Sequence, residues 1–268
     1  MKRLRQIALA ILVAIFVISL LADFIAPASY ATQFRDSLNL GSSWKFPLGT
    51  DDLGRDRFSR LLYGTRVSLS LGPAAALLST LIAAVIGGTA GYIGGSAEQL
   101  AMSATDLFLS LPWFFLLLTA RAMLPLNAGA WSSVIITFAL LGLLGWPATA
   151  RVACAGAKSL RQSDFILQAR ASGCHGLRLV MVHVVPNLAP VLLAQFWTLI
   201  PIYIIAEANL GILGLGVSEP LPSWGNLLRE LGDYTVIMAN PWSLAPAVLL
   251  LLVMSCFQIA LSRMENSV

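Results

Sequence analysis

The chain has 268 residues, of which 57% are hydrophobic and 11% are charged, and its formal net charge at pH 7 is +4. An ordinary soluble domain carries about 25% charged residues, so this chain has too little polar surface to enclose a core in water. The composition excludes an ordinary soluble protein and favours one that lies in a lipid bilayer. Its basic residues lie between apolar runs, which argues against a nucleic-acid partner.

Six apolar runs are long enough to cross a bilayer as helices, which takes about 20 residues each. They cover residues 7–21, 67–93, 100–124, 131–153, 184–210 and 242–261. The first run follows Lys2, Arg3 and Arg5 and has features of a secretory signal, but no small-x-small cleavage site follows it. We therefore expect an uncleaved first helix and an all-α integral membrane protein with six transmembrane helices.

The polar segments between these runs predict the organisation and orientation of the chain. We expect residues 1–65 to form the first helix and an extracytoplasmic segment, and residues 66–262 to form a five-helix core with a cytoplasmic loop at 154–183. Six spans place both termini on one side of the membrane. Basic residues at the N-terminus and in the 154–183 loop favour the cytoplasm. Residues 28–66 contain six basic residues as well, so charge alone leaves the opposite orientation open.

The sequence contains no motif that supplies chemistry of its own. It has no phosphate-binding loop, no nucleophile elbow and no His-Glu-x-x-His, so we expect no catalytic residue and no cofactor. His175 and His183 are too few for a metal site. Cys154, Cys174 and Cys256 form no Cys-x-x-Cys pair, which predicts free thiols. A membrane protein of this kind transports or anchors something.

Residues 161–178 carry the most informative polar segment. Ser163 and Asp164 are residue types that cap a helix N-terminus, and Gly173 is typical of a helix end that needs a left-handed residue. One face of the predicted helix carries Phe165, Ile166 and Ala169. A helix of about two turns is not stable alone, so it must pack on something. The alternative is an interfacial loop helix without a partner.

Seven motifs in constant order and spacing make most of the chain similar to one family. The first is DFILQARASG at residues 164–173 followed by HVVPN at 183–187. The others are FPLGTDDLGRDRFSRLLYGTRVSLSLG at 46–72, GYIGG at 91–95, ATDLFLSLP at 104–112, WPATAR at 146–151, AEANLGILGLGV at 206–217 and PSWGNLL at 222–228. Together they resemble permeases of ATP-binding-cassette importers of the dipeptide/oligopeptide/nickel family, in particular the second, C-type subunit.

This resemblance implies the type I importer fold and a set of partners. They are a second homologous permease, two ATP-binding subunits that hydrolyse ATP, and an extracytoplasmic substrate-binding protein, all at the cytoplasmic membrane and its lipid. The resemblance identifies the coupling segment as Asp164, Phe165, Ile166, Leu167, Gln168, Ala169, Arg170, Ala171 and Gly173. Such a helix docks on an ATP-binding subunit and transmits its motion to the pathway. Peptides, nickel complexes and other small solutes are all cargoes of the family, and the sequence does not choose among them.

The coupling segment departs from the family pattern at its acidic residue. Where the motif has Glu-Ala-Ala, this chain has Leu167-Gln168-Ala169, and position 154 is a cysteine where a basic residue is common. A charge pair with the ATP-binding subunit is therefore in doubt at that position. We expect docking to depend more on apolar packing by Phe165, Ile166 and Leu167.

Three charged residues lie in or near apolar runs, namely Asp106, Arg121 and Glu207. A charge inside the bilayer costs about 2.5–3.5 kcal/mol on insertion scales, so these residues are candidates for lining or gating the pathway. The alternative for Asp106 and Arg121 is a helix-end charge that reaches the interface or an ion pair that stabilises the fold. Both interpretations stay open for Glu207, near Gly211 and Gly214.

Two other functions are consistent with a multispanning membrane protein. A self-contained secondary transporter or channel would carry inverted repeats with polar ion sites at the membrane centre, and no such repeat is visible in the sequence. A structural or assembly subunit without a transport role is the other alternative. Co-purification with two ATP-binding subunits and a second permease would separate both from an importer subunit.

Overall fold

The computed structural model describes residues 2–125, 129–174 and 176–262, and nearly all of its regular structure is helical. The helices are α1 Lys2–Leu20, α2 Ala22–Ile25, α3 Arg57–Ala83, α4 Thr89–Ile93, α5 Gly95–Ser110, α6 Trp113–Ala122, α7 Ala130–Leu144, α8 Trp146–Arg161, α9 Asp164–Ala171, α10 Gly176–Leu179, α11 Val185–Ile212, α12 Trp224–Arg229, α13 Tyr234–Ala239 and α14 Ala245–Leu261. Two π-helical turns, Ala84–Gly88 and Val180–Val184, join α3 to α4 and α10 to α11. His175, one of the two histidines considered above, lies outside the described residues.

Five continuous helical stretches are long and apolar enough to cross a membrane. They are Arg3–Leu20, Arg57–Ile93, Ala130–Arg161, Val180–Ile212 and Pro241–Leu261. A sixth arises if α5 and α6 count as one broken span, because they pass the same test together but meet at an angle of 77°. Pro112 lies at this break, where it cannot donate a backbone hydrogen bond. The prediction of an all-helical membrane protein is confirmed.

Two boundaries differ from the sequence prediction. Helix α3 begins at Arg57, ten residues before the predicted span, so the division expected between residues 65 and 66 falls inside it. The loop predicted at 154–183 is too long, because α8 continues to Arg161. The Lys158 ammonium lies 2.6 Å from Glu98 of α5, and Arg161 donates to the carbonyl of Ile93 over 2.9 Å. These contacts keep the polar end of α8 helical.

The chain forms two compact units. The first contains the residues up to Gly72, Arg121–Phe138 and the residues from Pro201 onward, and α1 and α12 each pack against α14 in it. Little of α1 is buried, and its exposed side chains include Ile7, Val13 and Val17. These apolar side chains suit a face toward lipid or another membrane protein.

The second unit contains Pro73–Ala120 and Ala139–Ile200. Here α4 and the preceding π-turn pack closely on α8. A Cβ atom on Gly87 would lie 2.0 Å from the carbonyl oxygen of Ala150, and one on Gly91 would lie 2.2 Å from that of Cys154. Gly87 and Gly91 are four residues apart on one side of the contact, and Ala150 and Cys154 are four residues apart on the other. Two ridges of small residues therefore face each other. This contact positions the end of α8, from which the coupling segment continues.

Candidate functional site

The coupling segment predicted from the sequence forms α9, and its N-terminus is built differently from the prediction. Ser163 occupies the N-cap position in an extended conformation, but its side chain makes no capping hydrogen bond. Its hydroxyl instead donates to the carbonyl of Leu160 over 2.5 Å. The expectation that Ser163 caps the helix with its side chain is therefore wrong. Asp164 lies in the first turn, where a carboxylate suits the positive end of the helix dipole.

The C-terminus of α9 ends as predicted, in a left-handed glycine. Gly173 has φ of +86°, and its N–H donates to the carbonyl of Arg170 over 3.0 Å. The N–H of Cys174 donates to the carbonyl of Ala169, also over 3.0 Å. This pair of bonds is the Schellman arrangement, which satisfies the last carbonyls of a helix and turns the chain back.

One apolar side chain fixes α9 to the rest of its unit. Ile166 is fully buried and packs with Leu179 and Val184, and Tyr92 and Leu160 lie against this cluster. Burying such a side chain contributes about 1.5–3 kcal/mol, which offsets the weak intrinsic stability of a helix of eight residues. Ile166 is therefore unavailable to a partner, and the expectation that it contributes to docking does not hold.

Arg170 makes a second attachment, to Tyr92 at the end of α4. Its guanidinium lies over the Tyr92 ring with 5.6 Å between the guanidinium carbon and the ring centroid. Its Nη2 lies 3.4 Å from the Tyr92 hydroxyl oxygen. Arg170 thus links α9 to α4.

The outward face of α9 carries a continuous stripe of exposed side chains at helical spacing. Its members are Asp164, Leu167, Gln168 and Ala171. Leu167 is 51% exposed, and the adjacent Phe165 is 39% exposed. Both side chains are exposed on a helix that lies between two of the membrane-spanning stretches. Leu167 stands where the family motif has its glutamate.

A second polar constellation lies in the first unit, where a network of arginines and carboxylates joins distant parts of the chain. The Arg55 guanidinium lies 2.7 Å from both Asp51 and Glu219, and fully buried Arg60 lies 2.9 Å from Glu219. Arg57 lies 2.6 Å from Glu230. The start of α3 and the segment before it are therefore fixed to the chain on either side of α12.

The surroundings of Glu219 and Glu230 shift the pKa values of these two side chains in opposite directions. Burial alone would raise the pKa of Glu219, but the hydrogen bonds and charges of Arg60 and Arg55 outweigh it and hold the pKa below its ordinary value. Burial dominates for Glu230 and raises its pKa above the ordinary value, despite Arg57 nearby. The ionised form of Glu219 is therefore part of the folded structure.

Arg121, a candidate from the sequence, is fully buried at the end of α6. Its Nη2 donates to the Ser133 hydroxyl over 2.9 Å and to the carbonyl of Gly216 over 3.3 Å. Its Nε and Nη1 have no hydrogen-bond partner among the described residues. The charge is enclosed by protein, and its hydrogen-bond partners are neutral groups.

Glu207, the second candidate, is fully buried in α11. The Ser68 hydroxyl lies 3.5 Å from its Oε2 and also accepts from the backbone N–H of Trp224 over 3.2 Å. A Cβ atom on Gly225 would lie 3.1 Å from Oε1 of Glu207. The carboxylate is thus enclosed by α3 and α12, where it helps to hold the loop of residues 214–226 in place.

Asp106, the third candidate, lies on α5 in the second unit and pairs with Arg151 of α8. Both side chains are about half exposed. Such an exposed pair is worth about 0–1 kcal/mol. The structure thus gives Asp106 an ion-pair partner, as one of the two interpretations from the sequence expected.

An open pocket with a volume of 610 Å³ lies beside the arginine network in the first unit. Its lining includes Arg121, Gly216, Glu219, Asn226 and Arg229. Sequence analysis missed Arg229 and Glu219, because charged residues in a loop rich in glycine and proline resemble a solvated turn. The one signal was the high density of glycines in the same stretch, which indicates close backbone packing.

Comparisons with known proteins agree with this architecture. Residues 81–268 match the protein family described as binding-protein-dependent transport system inner membrane component. The chain is 31% identical over 259 residues to the dipeptide transport system permease protein DppC of Bacillus subtilis (strain 168), covering 96% of this chain and 79% of that protein.

Two further relatives carry related descriptions. The di/tripeptide transport system permease protein DppC of Pseudomonas aeruginosa (strain UCBPP-PA14) is 33% identical over 222 residues, which is 81% of this chain and 71% of that protein. The oligopeptide transport system permease protein OppC of Bacillus subtilis (strain 168) is 30% identical over 243 residues, covering 91% and 77% of the two chains.

Proposed function

This chain belongs to the family of binding-protein-dependent transport system inner membrane components and is a permease subunit of an ATP-binding-cassette importer, and we propose that its cargo is a short peptide. The peptide assignment rests on the names of relatives that cover most of the chain, among them two dipeptide or tripeptide permeases and one oligopeptide permease. The subunit is a multispanning protein of the inner membrane, and ATP hydrolysis lies in separate subunits.

The observation that supports a coupling role most strongly is the two-sided character of α9. Its inner face is fixed by Ile166, while Leu167 and Phe165 remain exposed on its two flanks. We infer that the exposed stripe seats in a groove of an ATP-binding subunit, with Leu167 taking the place of the usual glutamate. Apolar contact then supplies the affinity that the charge pair supplies in relatives with the acidic residue.

The attachments of α9 provide a route for motion. A displacement of α9 acts on the cluster of Ile166, Leu179 and Val184, and through Arg170 on Tyr92 at the end of α4. Since α4 and α8 are packed backbone to backbone, they move as one body with α9. A short rigid element with two packing states suffices to switch the pathway between inward-facing and outward-facing forms.

A variant importer tests this coupling. Leu167→Ala and Phe165→Ala should reduce peptide uptake at least about tenfold while ATP hydrolysis by the assembled complex continues, since hot-spot side chains cost about 2 kcal/mol or more on truncation. Gln162→Ala is the matched control, because Gln162 is exposed but lies before α9. If both variants transport peptide in step with ATP hydrolysis at wild-type rates, the exposed stripe does not couple the two activities.

The partners implied by the family are a second permease, two ATP-binding subunits and a substrate-binding protein. We propose that the second permease is homologous and completes the pathway as a heterodimer with this chain. Affinity purification of the tagged chain from its native membrane should recover a second permease and ATP-binding subunits in a ratio of one to one to two. Recovery of the chain as an independent transporter or channel would favour the alternative class.

We further propose that both termini and α9 lie in the cytoplasm. The basic residues of the N-terminus and of the 154–183 loop, which lie on one side by parity, support this orientation; they are Lys2, Arg3, Arg5, Lys158, Arg161, Arg170 and Arg178. Cys174, which is partly exposed beside α9, reports the orientation directly. A membrane-impermeant maleimide should label it in inside-out vesicles only, and labelling in right-side-out vesicles would reverse the topology.

A further inference from the structure

The 610 Å³ pocket of the first unit has the size of a small-molecule site, since ligand pockets typically measure about 300–1,000 Å³. Its lining combines Arg121, Arg229 and Asp52 with the backbone of Gly214 and Gly216. Most of these groups are polar, so water or a polar ligand fits better than an apolar one. The charges that remain unpaired there decide which polar ligand it favours.

Most charges around the pocket cancel one another. Three arginines and three carboxylates form mutual ion pairs, namely Arg55, Arg57 and Arg60 with Asp51, Glu219 and Glu230. Arg121 and Arg229 remain, and neither has a carboxylate within 4.0 Å among the residues that the structure describes. Asp52 is the remaining carboxylate of the lining. The five arginines and four carboxylates in and around the pocket therefore leave one excess positive charge.

Arg121 supplies the strongest indication of a ligand. The side chain is fully buried, yet its Nε and Nη1 lack a hydrogen-bond partner within the described part of the chain. A buried guanidinium with two unused N–H groups is costly unless an anion or a polar ligand completes it. Because Nη2 already donates to Ser133 and to Gly216, a carboxylate oxygen would accept from Nε or from Nη1 singly.

Arg229 holds a second guanidinium at the exposed side of the same pocket. Its guanidinium lies over the backbone of Gly214, where a Cβ atom would be 3.4 Å from its Cζ. Gly214 has φ of +78°, a conformation that favours glycine. The turn after α11 is thus shaped to let Arg229 lie close to the backbone at the mouth, while Arg121 lies at the floor.

We propose that this pocket holds the carboxylate of a short peptide in transit, received by Arg229 at the mouth and completed by Arg121 at the floor. The proposal rests on the peptide import proposed above and adds a recognition site within the permease itself. Asp52 gives the same pocket a carboxylate that suits the ammonium group at the other end of a peptide. An open pocket of 610 Å³ with a buried cation at its floor suits a small ligand better than an acidic protein surface.

A transport assay with paired peptides tests the proposal. The complete importer with its binding protein is reconstituted in proteoliposomes, with a peptide of neutral side chains as free acid and as C-terminal amide, chosen so that the binding protein holds both with similar Kd. Arg229→Gln should lower kcat/KM for the free acid about tenfold or more and leave the amide unchanged. Arg35→Gln, which removes an exposed cation outside the pocket, should change neither.

Arg121→Lys keeps the charge of the floor but removes the Nε and Nη1 donors, and should reduce discrimination between the two peptides. If both variants slow the two peptides equally or not at all, the carboxylate site is refuted. Reduced capture of the binding protein by Arg229→Gln, with unchanged discrimination, would assign the arginines to a protein surface and overturn the proposal.

A binding measurement separates this site from the wider function. N-acetyl-alanine should raise the Tm of the purified importer without its binding protein, whereas N-acetyl-alanine amide should not, and Arg229→Gln should abolish the shift. Equal stabilisation by inorganic phosphate would reveal a general anion site and overturn the peptide assignment. If the wild-type importer carries neither peptide, peptide import itself fails, and the Tm shift still decides whether the pocket binds a carboxylate.

Discussion

Gly211 at the end of α11 and Gly225 in α12 pack so closely that a Cβ atom on Gly211 would lie 2.3 Å from the Cα of Gly225. Gly216 closes the same contact, because a Cβ atom there would lie 2.6 Å from the Cα of Gly211. The three glycines hold the loop after α11 against α12. This contact also sets the position of the Gly216 carbonyl, which accepts from Arg121.

Gly211→Ala should therefore lower the thermal stability of the permease and disturb the pocket beside it. The added methyl group meets backbone atoms that cannot move aside, and overpacking of this kind costs about 1–3 kcal/mol. We expect a lower Tm in detergent and a smaller shift of Tm with N-acetyl-alanine.

Gly232→Ala is the matched control, because nothing lies within 4 Å of a Cβ atom at Gly232. It should have the wild-type Tm. An unchanged Tm for Gly211→Ala would mean that the loop can move away from α12 at little cost.

Ile166→Ala should release α9 from its unit. Large-to-small substitution of a buried isoleucine costs about 2–5 kcal/mol, and α9 has few other attachments. Limited trypsin digestion of the purified importer should cut after Arg170 at least about tenfold faster than in the wild type, since cleavage follows the population of the open form. Gln162→Ala, at an exposed position just before α9, should leave the cleavage rate unchanged. Equal rates in Ile166→Ala and wild type would show that α9 is held by other contacts.

The membrane-spanning helices were the most predictable part of the fold, because each is an apolar run of sufficient length. The start of α3 was not, since Arg57 and Arg60 look like loop residues until their partners are known. Those partners, Glu230 and Glu219, lie more than 150 residues further along the chain. Contacts of such separation leave no periodic signal in the sequence.

The coupling segment was predictable in place but not in detail. The Gly173 end follows from local backbone chemistry and was predicted correctly. Which apolar residue faces inward depends on what α9 packs against, and Ile166 was therefore grouped with Phe165 and Leu167. The pocket arginines were harder still to predict from the sequence. The role of Arg229 depends on the turn at Gly214, which brings its guanidinium beside the cavity.

The packing of α4 on α8 predicts that Gly91 is irreplaceable by a residue with a side chain. A Cβ atom at Gly91 would lie 2.2 Å from the carbonyl oxygen of Cys154, so Gly91→Ala must separate the two helices. We expect a cost of about 1–3 kcal/mol, observed as a lower Tm and weaker coupling of ATP hydrolysis to uptake. Gly88→Ala is the control, because its Cβ atom would meet Leu188 at an ordinary 3.5 Å. Similar Tm values for the two variants would contradict close packing at Gly91.

The ion network around Glu219 predicts how stability depends on pH. Arg60 and Arg55 outweigh the effect of burial and hold the pKa of Glu219 below its ordinary value of 4.5. A carboxylate whose pKa is lower in the folded state than in the unfolded state stabilises the folded state at every pH above its ordinary pKa. This contribution is lost as the pH falls through the folded-state pKa. The pKa of Glu230 is shifted upward by burial, so its protonation at low pH acts in the opposite direction and partly masks the loss.

Glu219→Gln isolates the contribution of one carboxylate. The variant should have a lower Tm than the wild type at about pH 6–8, since the neutral amide cannot balance Arg60 and Arg55. The difference in Tm should shrink as the pH falls from 4.5, where the carboxyl of the unfolded chain takes up its proton, through the lower folded-state pKa, below which the wild-type carboxyl is also neutral. Differential scanning fluorimetry of the purified importer across this range measures both effects. A difference that stays constant from neutral pH down to the acid limit of folding would mean that Glu219 acts through its shape and hydrogen bonds, not through its charge.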